Sequence, residues 1–428
     1  WTQRGKNMVN RIGTTRVVWR TEAGRRLAAV ALLSVLLLAG VSFLLPAQDA
    51  PQSASARELV IRGVKLLQHG KAEDAEPLFR RALSLEPDDA LAWFYLGQDL
   101  MAQNRYSGAA EALESALESD RKNPSLNRQM RLQALDSHAL ALAFDEHFPK
   151  AVKAYKDAIE AYPDYPLFYY NLACVEALVG DRPAAFKNLA KFQENVKNYP
   201  PGGTPPDPGA DPDLRGLKGD PRFEGLLIGW VGTQPSDTAG SHLMRKGARD
   251  LALGKTGAAL SAETEAVKVD PKNVLAWYFL GGAHSESRQP GPAAEAYRKA
   301  LSLDSPPNQV LTKHMMRWIA LHLGKYDLEH GRAKEALRVL NEAETALAFD
   351  PLIDYQRARA YVSLHDEKKA FGALSDMLNN LSSYRVVEGP MPDPSKDPLF
   401  KPYLKDKRWA ALIQKIVSSS PVTSAPSK

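Results

Sequence analysis

The sequence predicts an all-α protein, a solenoid in which pairs of antiparallel helices stack one after another. A spacing of small and large residues that returns about every 34 residues predicts the helical pairs. A longer period relates the two halves of the chain, whose matching residues lie 184 to 186 positions apart. No segment shows sustained alternation of apolar and polar residues, so strand content is expected to be close to nil.

The first predicted element is an uncharged run of nineteen residues, LAAVALLSVLLLAGVSFLL, at positions 27–45. As a helix this run would span about 28 Å, which matches a bilayer core, so 27–46 is predicted to be a transmembrane helix. The basic N-terminus, 1–26, would stay in the cytoplasm. The protein is therefore expected to cross the inner membrane once, with everything after Pro46 in the periplasm.

A cleaved signal peptide is the alternative to this anchor. The run is longer than the apolar core of most signals, and cleavage after Ala47 or Ala50 would put Leu45 or Gln48 where a small residue is expected. A mitochondrial transit peptide fits the Arg-rich start but fits an apolar run of this length poorly. Position 1 is Trp1 and not Met, so a domain that precedes it is left open.

The charge of the chain is concentrated at its N-terminus. The whole chain has a formal net charge of +5, and residues 1–26 carry seven basic residues against one acid. The remainder holds 48 basic and 49 acidic residues, a net charge of −1, so the basic surface expected of a nucleic-acid-binding protein is missing. The single cysteine, Cys174, excludes an intrachain disulfide and a cysteine-based zinc site.

The repeats are clearest at two tryptophans. Trp93-x2-Leu96-Gly97 is followed by Ala109, Leu113 and Ala116, and Trp277-x2-Leu280-Gly281 is followed by Ala293, Tyr297 and Ala300. This pattern resembles the tetratricopeptide repeat (TPR) family. By this resemblance the chain holds eight units, at 56–89, 90–123, 132–165, 166–199, 240–273, 274–307, 317–350 and 351–384.

The resemblance implies a TPR alpha-solenoid of two tandem four-repeat, right-handed superhelical units. Small residues at the eighth, twentieth and twenty-seventh positions let the two helices of a unit approach closely. Large residues at the fourth, seventh, eleventh and twenty-fourth positions fill the space between one pair and the next. Stacked pairs form a concave wall, and its shape is a binding surface for other proteins or peptides.

Each half closes with a segment that is not a repeat. PDPGADPDLRGLKGDPRFEGLL begins at Pro206, and PDPSKDPLFKPYLKDKRWAALI begins at Pro392. They resemble the end-of-group segments of bacterial envelope and signalling proteins, which implies that each covers the apolar face of the last repeat. The predicted domains are 56–230 and 240–417, each with its end-of-group cap, joined by a linker at 231–239 and followed by a disordered tail at 418–428.

No residue pattern predicts a catalytic, cofactor-binding or metal-binding site. Gly254-Lys255-Thr256 imitates part of a phosphate-binding loop, but Arg249 stands where that loop needs a glycine. The nine histidines form no His-Glu-x-x-His motif. The chain is therefore predicted not to be an enzyme, and to use no cofactor, metal or small-molecule substrate.

By resemblance to the family, the second, fifth, ninth and twelfth positions of each first helix face the concave groove. Trp93 and Trp277, at the fourth position, are predicted to be core residues instead. The alternative is that the groove aromatics pack mainly against neighbouring helices. The candidate groove contacts are Phe94, Gln98, Met101, Tyr170, Tyr278, Ser285, Tyr355 and Arg359.

These observations favour a non-catalytic protein–protein interaction scaffold of the bacterial cell envelope, tethered by its N-terminal helix. Its expected partners are other proteins or peptides, and not nucleic acid. The Lys and Asn set that clamps a C-terminal carboxylate in some family members is absent. Two alternatives stay open, the extracytoplasmic part of a larger membrane signalling protein such as a Ser/Thr kinase, and a secreted TPR binding protein.

Overall fold

The computed structural model describes residues 54–199, 203–230, 238–305, 309–346, 349–384 and 391–420. These residues form eighteen α-helices with short 3-10 helices between some of them, and no strand occurs among them. The prediction of an all-α fold built from helical pairs is therefore confirmed.

Each half of the described sequence contains nine helices in the same order, four pairs followed by one closing helix. The first half consists of α1 Ala56–Gln68, α2 Ala72–Leu85, α3 Ala90–Ala102, α4 Tyr106–Lys122, α5 Arg128–Phe144, α6 Phe148–Ala161, α7 Pro166–Leu178, α8 Arg182–Asn195 and α9 Pro221–Trp230. The second half consists of α10 Ala239–Ala252, α11 Thr256–Val269, α12 Val274–Glu286, α13 Pro290–Leu303, α14 Lys313–Glu329, α15 Ala333–Ala346, α16 Pro351–Ser363, α17 Glu367–Asn380 and α18 Lys407–Ser419.

A small eighth residue contacts the large twenty-fourth residue of the same unit in both halves, whereas the sequence assigned the twenty-fourth position to the space between pairs. A Cβ atom on Gly97 would lie 2.5 Å from Leu113 Cγ, and one on Gly281 would lie 2.5 Å from Tyr297 Cδ1. Carbon atoms do not approach this closely, so glycine lets the large side chain pack directly on the helix backbone. The same contact joins Gly63 to Phe79 and Gly324 to Leu340.

Side chains that cap helix N-termini determine where several first helices begin. The Asp89 carboxylate accepts hydrogen bonds from the backbone N–H groups of Leu91 and Ala92, at 2.9 and 3.2 Å. Asn273, the matching residue of the second half, accepts from the N–H of Ala276 at 3.1 Å. Each cap satisfies a backbone donor that has no partner within its own helix, and this stabilises the helix start.

One aspartate in each half holds the longer connection between the second and third pairs. Asp120 accepts from the backbone N–H groups of Ser125 and Leu126, both at 2.7 Å. Asp304 accepts from those of Val310 and Leu311, at 2.6 and 3.1 Å. The duplication therefore extends to connections that are not part of the repeat.

The closing helices begin with the same Asp-x-Arg arrangement. Asp220 accepts from the Arg222 backbone N–H at 2.9 Å, and Asp406 accepts from that of Arg408 at 2.7 Å. Behind this turn, Phe223 is fully buried and Trp409 is 3% exposed. Trp409, Leu412 and Ile413 share a core with α16 and α17, as a cap would.

The described residues divide into two compact units. One comprises the residues up to Val175 together with Asn195–Gly203, and the other comprises Glu176–Glu194 together with the residues from Thr204 onward. In the second unit a Cβ atom on Gly225 of α9 would lie 2.4 Å from Ala248 O of α10. The first closing helix thus packs directly on the second array, so this division differs from the predicted domain boundaries.

Several predictions concern residues that the structure does not describe. The basic N-terminus and the predicted transmembrane helix, within 1–53, lie outside the described residues, as do 231–237 of the predicted linker and 421–428 of the predicted tail. Within the described ranges, no helix has the length and apolar character needed to cross a bilayer. Helix α18 extends to Ser419, two residues into the predicted tail.

Candidate functional site

The four aromatic residues predicted to line the groove are buried. Phe94 and Tyr278 have no exposed surface, Tyr170 is 1% exposed and Tyr355 is 7% exposed. Phe94 packs edge-on against Tyr95 with ring centroids 5.1 Å apart, and Tyr278 packs in the same way against Phe279. The expectation that these rings are open to a partner is corrected: in this conformation they belong to the core.

The two fourth-position tryptophans, which were predicted to be core residues, are more exposed than the groove aromatics. Trp93 and Trp277 are only partly buried, and each indole N–H donates to a backbone carbonyl six residues earlier. The acceptors are Pro87 O, at 2.8 Å, and Pro271 O, at 2.9 Å. The fourth-position tryptophans therefore fasten the turn between successive pairs, and the fifth-position aromatics fill the interior.

In the first compact unit, polar side chains join the first helices of adjacent pairs. Gln98 Nε2 donates to Ser137 Oγ at 3.0 Å, linking α3 to α5, and both residues are buried. Met101 is 6% exposed. Gln98 and Met101 are therefore part of the packing between pairs, and the expectation that they are open to a partner is corrected as well.

A polar network that was not predicted lies at the fifth position of the third pair. The Asp136 carboxylate accepts from Asn171 Nδ2 at 2.7 Å and from the Tyr155 hydroxyl at 3.2 Å. Burial raises the pKa of the Asp136 carboxyl to about 6, although both hydrogen bonds favour its ionised form. The three residues are 19 and 35 positions apart in sequence, so no local pattern indicated their contact.

In the second compact unit, the groove positions of α12 are covered by the first end-of-group segment. The Tyr278 hydroxyl donates to Gly219 O at 2.6 Å. A Cβ atom on Gly282, at the ninth position, would lie 2.5 Å from Pro221 Cβ. Gly219 has a φ of +81°, and a Cβ there would lie 2.2 Å from His314 O, so glycine is required at this contact.

An ionic cluster fixes the same segment beside α12 and α14. Asp220 is paired with Arg182 and Arg222 at 2.7 Å each, and Arg222 also reaches Glu286 at 3.3 Å. Burial alone would raise the pKa of the Asp220 carboxyl, but the two guanidinium groups hold it below its usual value. The Arg182 guanidinium also lies 5.3 Å from the ring centroid of Trp318.

The second end-of-group segment covers the groove positions of α16 in a similar way. The Tyr355 hydroxyl donates to Asp397 Oδ2 at 2.6 Å, and Arg359 Nε lies 2.9 Å from the same oxygen. The Arg359 guanidinium lies 5.9 Å from the Tyr355 ring centroid. Of the eight predicted groove contacts, Ser285 and Arg359 keep partial exposure, and the other six are buried.

A family profile described as "Tetratricopeptide repeat" matches residues 62–124 and 245–309. These ranges contain the two tryptophan motifs and the glycine contacts at Gly97 and Gly281 described above. The match therefore falls on equivalent parts of the two halves.

One curated relative is human "Protein O-mannosyl-transferase TMTC3". It is 30% identical over 125 residues, which are 28% of this chain and 13% of that protein. The chain therefore spans a small part of the length of this relative. The prediction that the chain is not an enzyme stays a prediction.

Three solved structures illustrate the structural likeness. A tetratricopeptide repeat protein from Parabacteroides merdae has 14% identity and a TM-score of 0.30, covering 71% of this chain and 98% of that one. YrrB, "a TPR protein with an unusual peptide-binding site", has 14% identity and a TM-score of 0.26, covering 59% and 88%. The TPR2AB domain of yeast Sti1, in a pHSP90 complex, has 14% identity and a TM-score of 0.27, covering 74% and 98%.

Proposed function

Because this chain is a tetratricopeptide-repeat protein, we propose that it is an interaction scaffold that holds other proteins or peptides against its helical arrays. The main support for the proposal is a set of contacts within the chain itself. Groove positions of the second array bind segments of the same chain, through the hydrogen bond from Tyr278 to Gly219 O and the contacts of Tyr355 and Arg359 with Asp397.

The chemistry of these contacts suits recognition of polypeptide. A tyrosine hydroxyl that donates to a main-chain carbonyl recognises the peptide backbone, whatever side chain that residue carries. Glycine at the ninth position lets the bound segment approach the helix closely. The arginine beside Tyr355 adds recognition of a carboxylate. A partner peptide would use the same types of contact on groove surface that the end-of-group segments leave open.

The cellular setting belongs to this proposal. We place the arrays on the outer side of a bacterial inner membrane, with the apolar run at 27–45 as the tether. The protein should then sediment with membranes and resist extraction by high salt or alkali, because the hydrophobic effect and not charge holds it there. Soluble mature protein that begins near Gln48 would contradict the tether.

The scaffold role is tested by site-specific photo-crosslinking in cells. A photoreactive residue at Ser285, the partly exposed twelfth position of the sixth unit, should give discrete adducts with a second protein. The matched control is Glu295, which is exposed on α13, the second helix of the same pair. Equal adducts at both positions, or no adduct at Ser285 and Arg359 alike, would contradict the proposal.

A further inference from the structure

A cleft of about 470 Å³ lies beside the first helix of the second array, within the second compact unit. One wall is α10, and the other is built by α9 with the end of α8. Four cationic or titratable side chains come from α10, namely His242, Arg245, Lys246 and Arg249, and the opposite wall presents Gln193, Gly225 and Ile228.

The four α10 side chains share one face because their positions follow the i, i+3, i+4, i+7 spacing of a helix. In the sixth unit the matching positions are Ala276, Phe279, Leu280 and Ala283, and all four are buried. In the sixth unit, which another repeat precedes, this face of the first helix is therefore apolar. In α10 the same face carries positive charge instead and lines a cleft.

No acidic side chain lines the described part of this cleft. His242, Lys246 and Arg249 are exposed, and none of them forms an ion pair or side-chain hydrogen bond with another residue that the structure describes. Lys246 and Arg249 are like charges three positions apart on one helix, and such charges repel one another. An anionic ligand would relieve this repulsion, which a neutral ligand could not do.

The walls of the cleft are held together by two direct contacts between helices. Gln193 Nε2 donates to Leu226 O at 2.9 Å, which ties α8 to α9. The close approach of Gly225 to Ala248 O ties α9 to α10. Ile228 packs against the core of the second array and gives the cleft an apolar floor. The site is therefore preformed and combines an apolar surface with a row of cations.

We infer that this cleft binds a short acidic segment of a partner protein, one that carries carboxylates on both sides of an apolar residue. The distance from residue 242 to residue 249 along α10 is about 10 Å, which equals three or four residues of extended peptide. The inference rests on the proposed scaffold role and names the partner chemistry at one site. Outside residues 1–26 the chain has a net charge of −1, which disfavours a long polyanion such as nucleic acid.

The test uses the full chain in detergent and a fluorescein-labelled peptide of sequence Glu-Asp-Leu-Glu-Asp. Fluorescence anisotropy should show saturable binding that weakens as salt is raised. The double substitution Lys246→Glu with Arg249→Glu should raise Kd at least about tenfold. The milder pair Lys246→Gln with Arg249→Gln should also raise Kd. Because this pair adds no acidic residue, it separates the loss of positive charge from a folding defect.

The matched control is Lys299→Glu with Lys334→Glu, two exposed lysines on α13 and α15 that produce the same change in net charge. This control should change Kd by less than about threefold. Equal losses in both charge-reversed proteins, unaltered binding in the α10 variants, or equal binding of a Gln-Asn-Leu-Gln-Asn peptide would overturn the inference. Duplex DNA or phosphatidylserine vesicles could instead bind more tightly than the acidic peptide and lose this binding in the α10 variants. That result would overturn the acidic peptide as the ligand and identify the other polyanion in its place. Adducts at Ser285 without peptide binding would leave the scaffold role standing and remove this site alone.

Discussion

At the scale of single residues, neighbouring positions on one helix exchange the roles that the sequence predicts for them. The family pattern identifies Trp93 and Phe94 as core and groove, but Trp93 is partly exposed and Phe94 is fully buried. The two positions differ by about 100° around the helix axis. Which of them is covered depends on the neighbouring helices, and these contacts are not encoded in the spacing within one repeat.

This exchange predicts the order of two alanine substitutions. Phe94→Ala should lower the free energy of unfolding by about 3–5 kcal/mol, because it opens a cavity in a closed core. Trp93→Ala should lower it by less, since part of the indole already contacts solvent and its hydrogen bond to Pro87 O lies at the surface. Denaturant unfolding followed by circular dichroism measures both, and a larger loss for Trp93→Ala would restore the original assignment.

A second residue-scale feature is a carboxyl group in the core. Glu263 occupies the twenty-fourth position of the fifth unit, where Leu113 and Leu340 stand in other units, and it has no exposed surface. Burial raises the pKa of the Glu263 carboxyl to about 10, and the backbone amide of Ala248 offsets only part of this effect. At neutral pH the group is protonated in the folded protein and ionised in the unfolded chain.

Glu263→Leu should therefore stabilise the protein by roughly 1–3 kcal/mol at pH 8. The gain should shrink as pH falls towards 4.5, because the unfolded chain then also binds the proton, and it should grow up to about pH 10. Thermal unfolding across this pH range measures the effect. Glu265→Leu, an exposed position on the same helix, is the control and should stay within about 0.5 kcal/mol of wild type at every pH. A gain independent of pH would show that Glu263 does not titrate as described.

At the scale of elements, the end-of-group segments do more than the predicted capping. Trp409 and its neighbours cover the last pair, as the sequence suggested, but Asp397 also reaches the groove face of α16. Tyr278 and Gly219 are 59 positions apart, and Tyr355 and Asp397 are 42 apart. Contacts across such separations join a repeat to a non-repeat segment, so neither period in the sequence could indicate them.

Removing the Asp397 carboxylate should loosen the second segment without unfolding the array. In Asp397→Ala the Tyr355 hydroxyl loses a charged hydrogen-bond acceptor and the Arg359 guanidinium loses its ion-pair partner, at a cost of about 1.5–3 kcal/mol. Trypsin should then cleave faster after Lys405, which is the last residue of the 3-10 helix of this segment. Lys396→Ala, a residue whose side chain is 84% exposed, is the control and should leave this rate unchanged. Equal cleavage rates in Asp397→Ala and wild type would show that the contact does not hold the segment.

At the scale of the whole molecule, the long period in the sequence predicted most of the fold. Four pairs and a closing helix recur in each half, with the same glycine contacts, helix caps and aspartate-held connections. The candidate site was less accessible to prediction. Six of the eight predicted groove contacts are buried. Periodicity describes the cationic face of α10 only as the outer side of the first repeat in the second array, so it did not indicate the cleft there.

The central claim is that end-of-group segments are bound in groove positions of the second array, so that a partner must use the surface they leave open. Hydrogen exchange on the full chain, read by mass spectrometry, tests it most directly. Amides of Gly219, Asp220 and Arg222 and of Leu399 and Phe400 have hydrogen-bond acceptors in the structure, so they should exchange at least about a hundredfold more slowly than in an unstructured peptide. Exchange of both segments at the unprotected rate, while α12 and α16 stay protected, would contradict the claim.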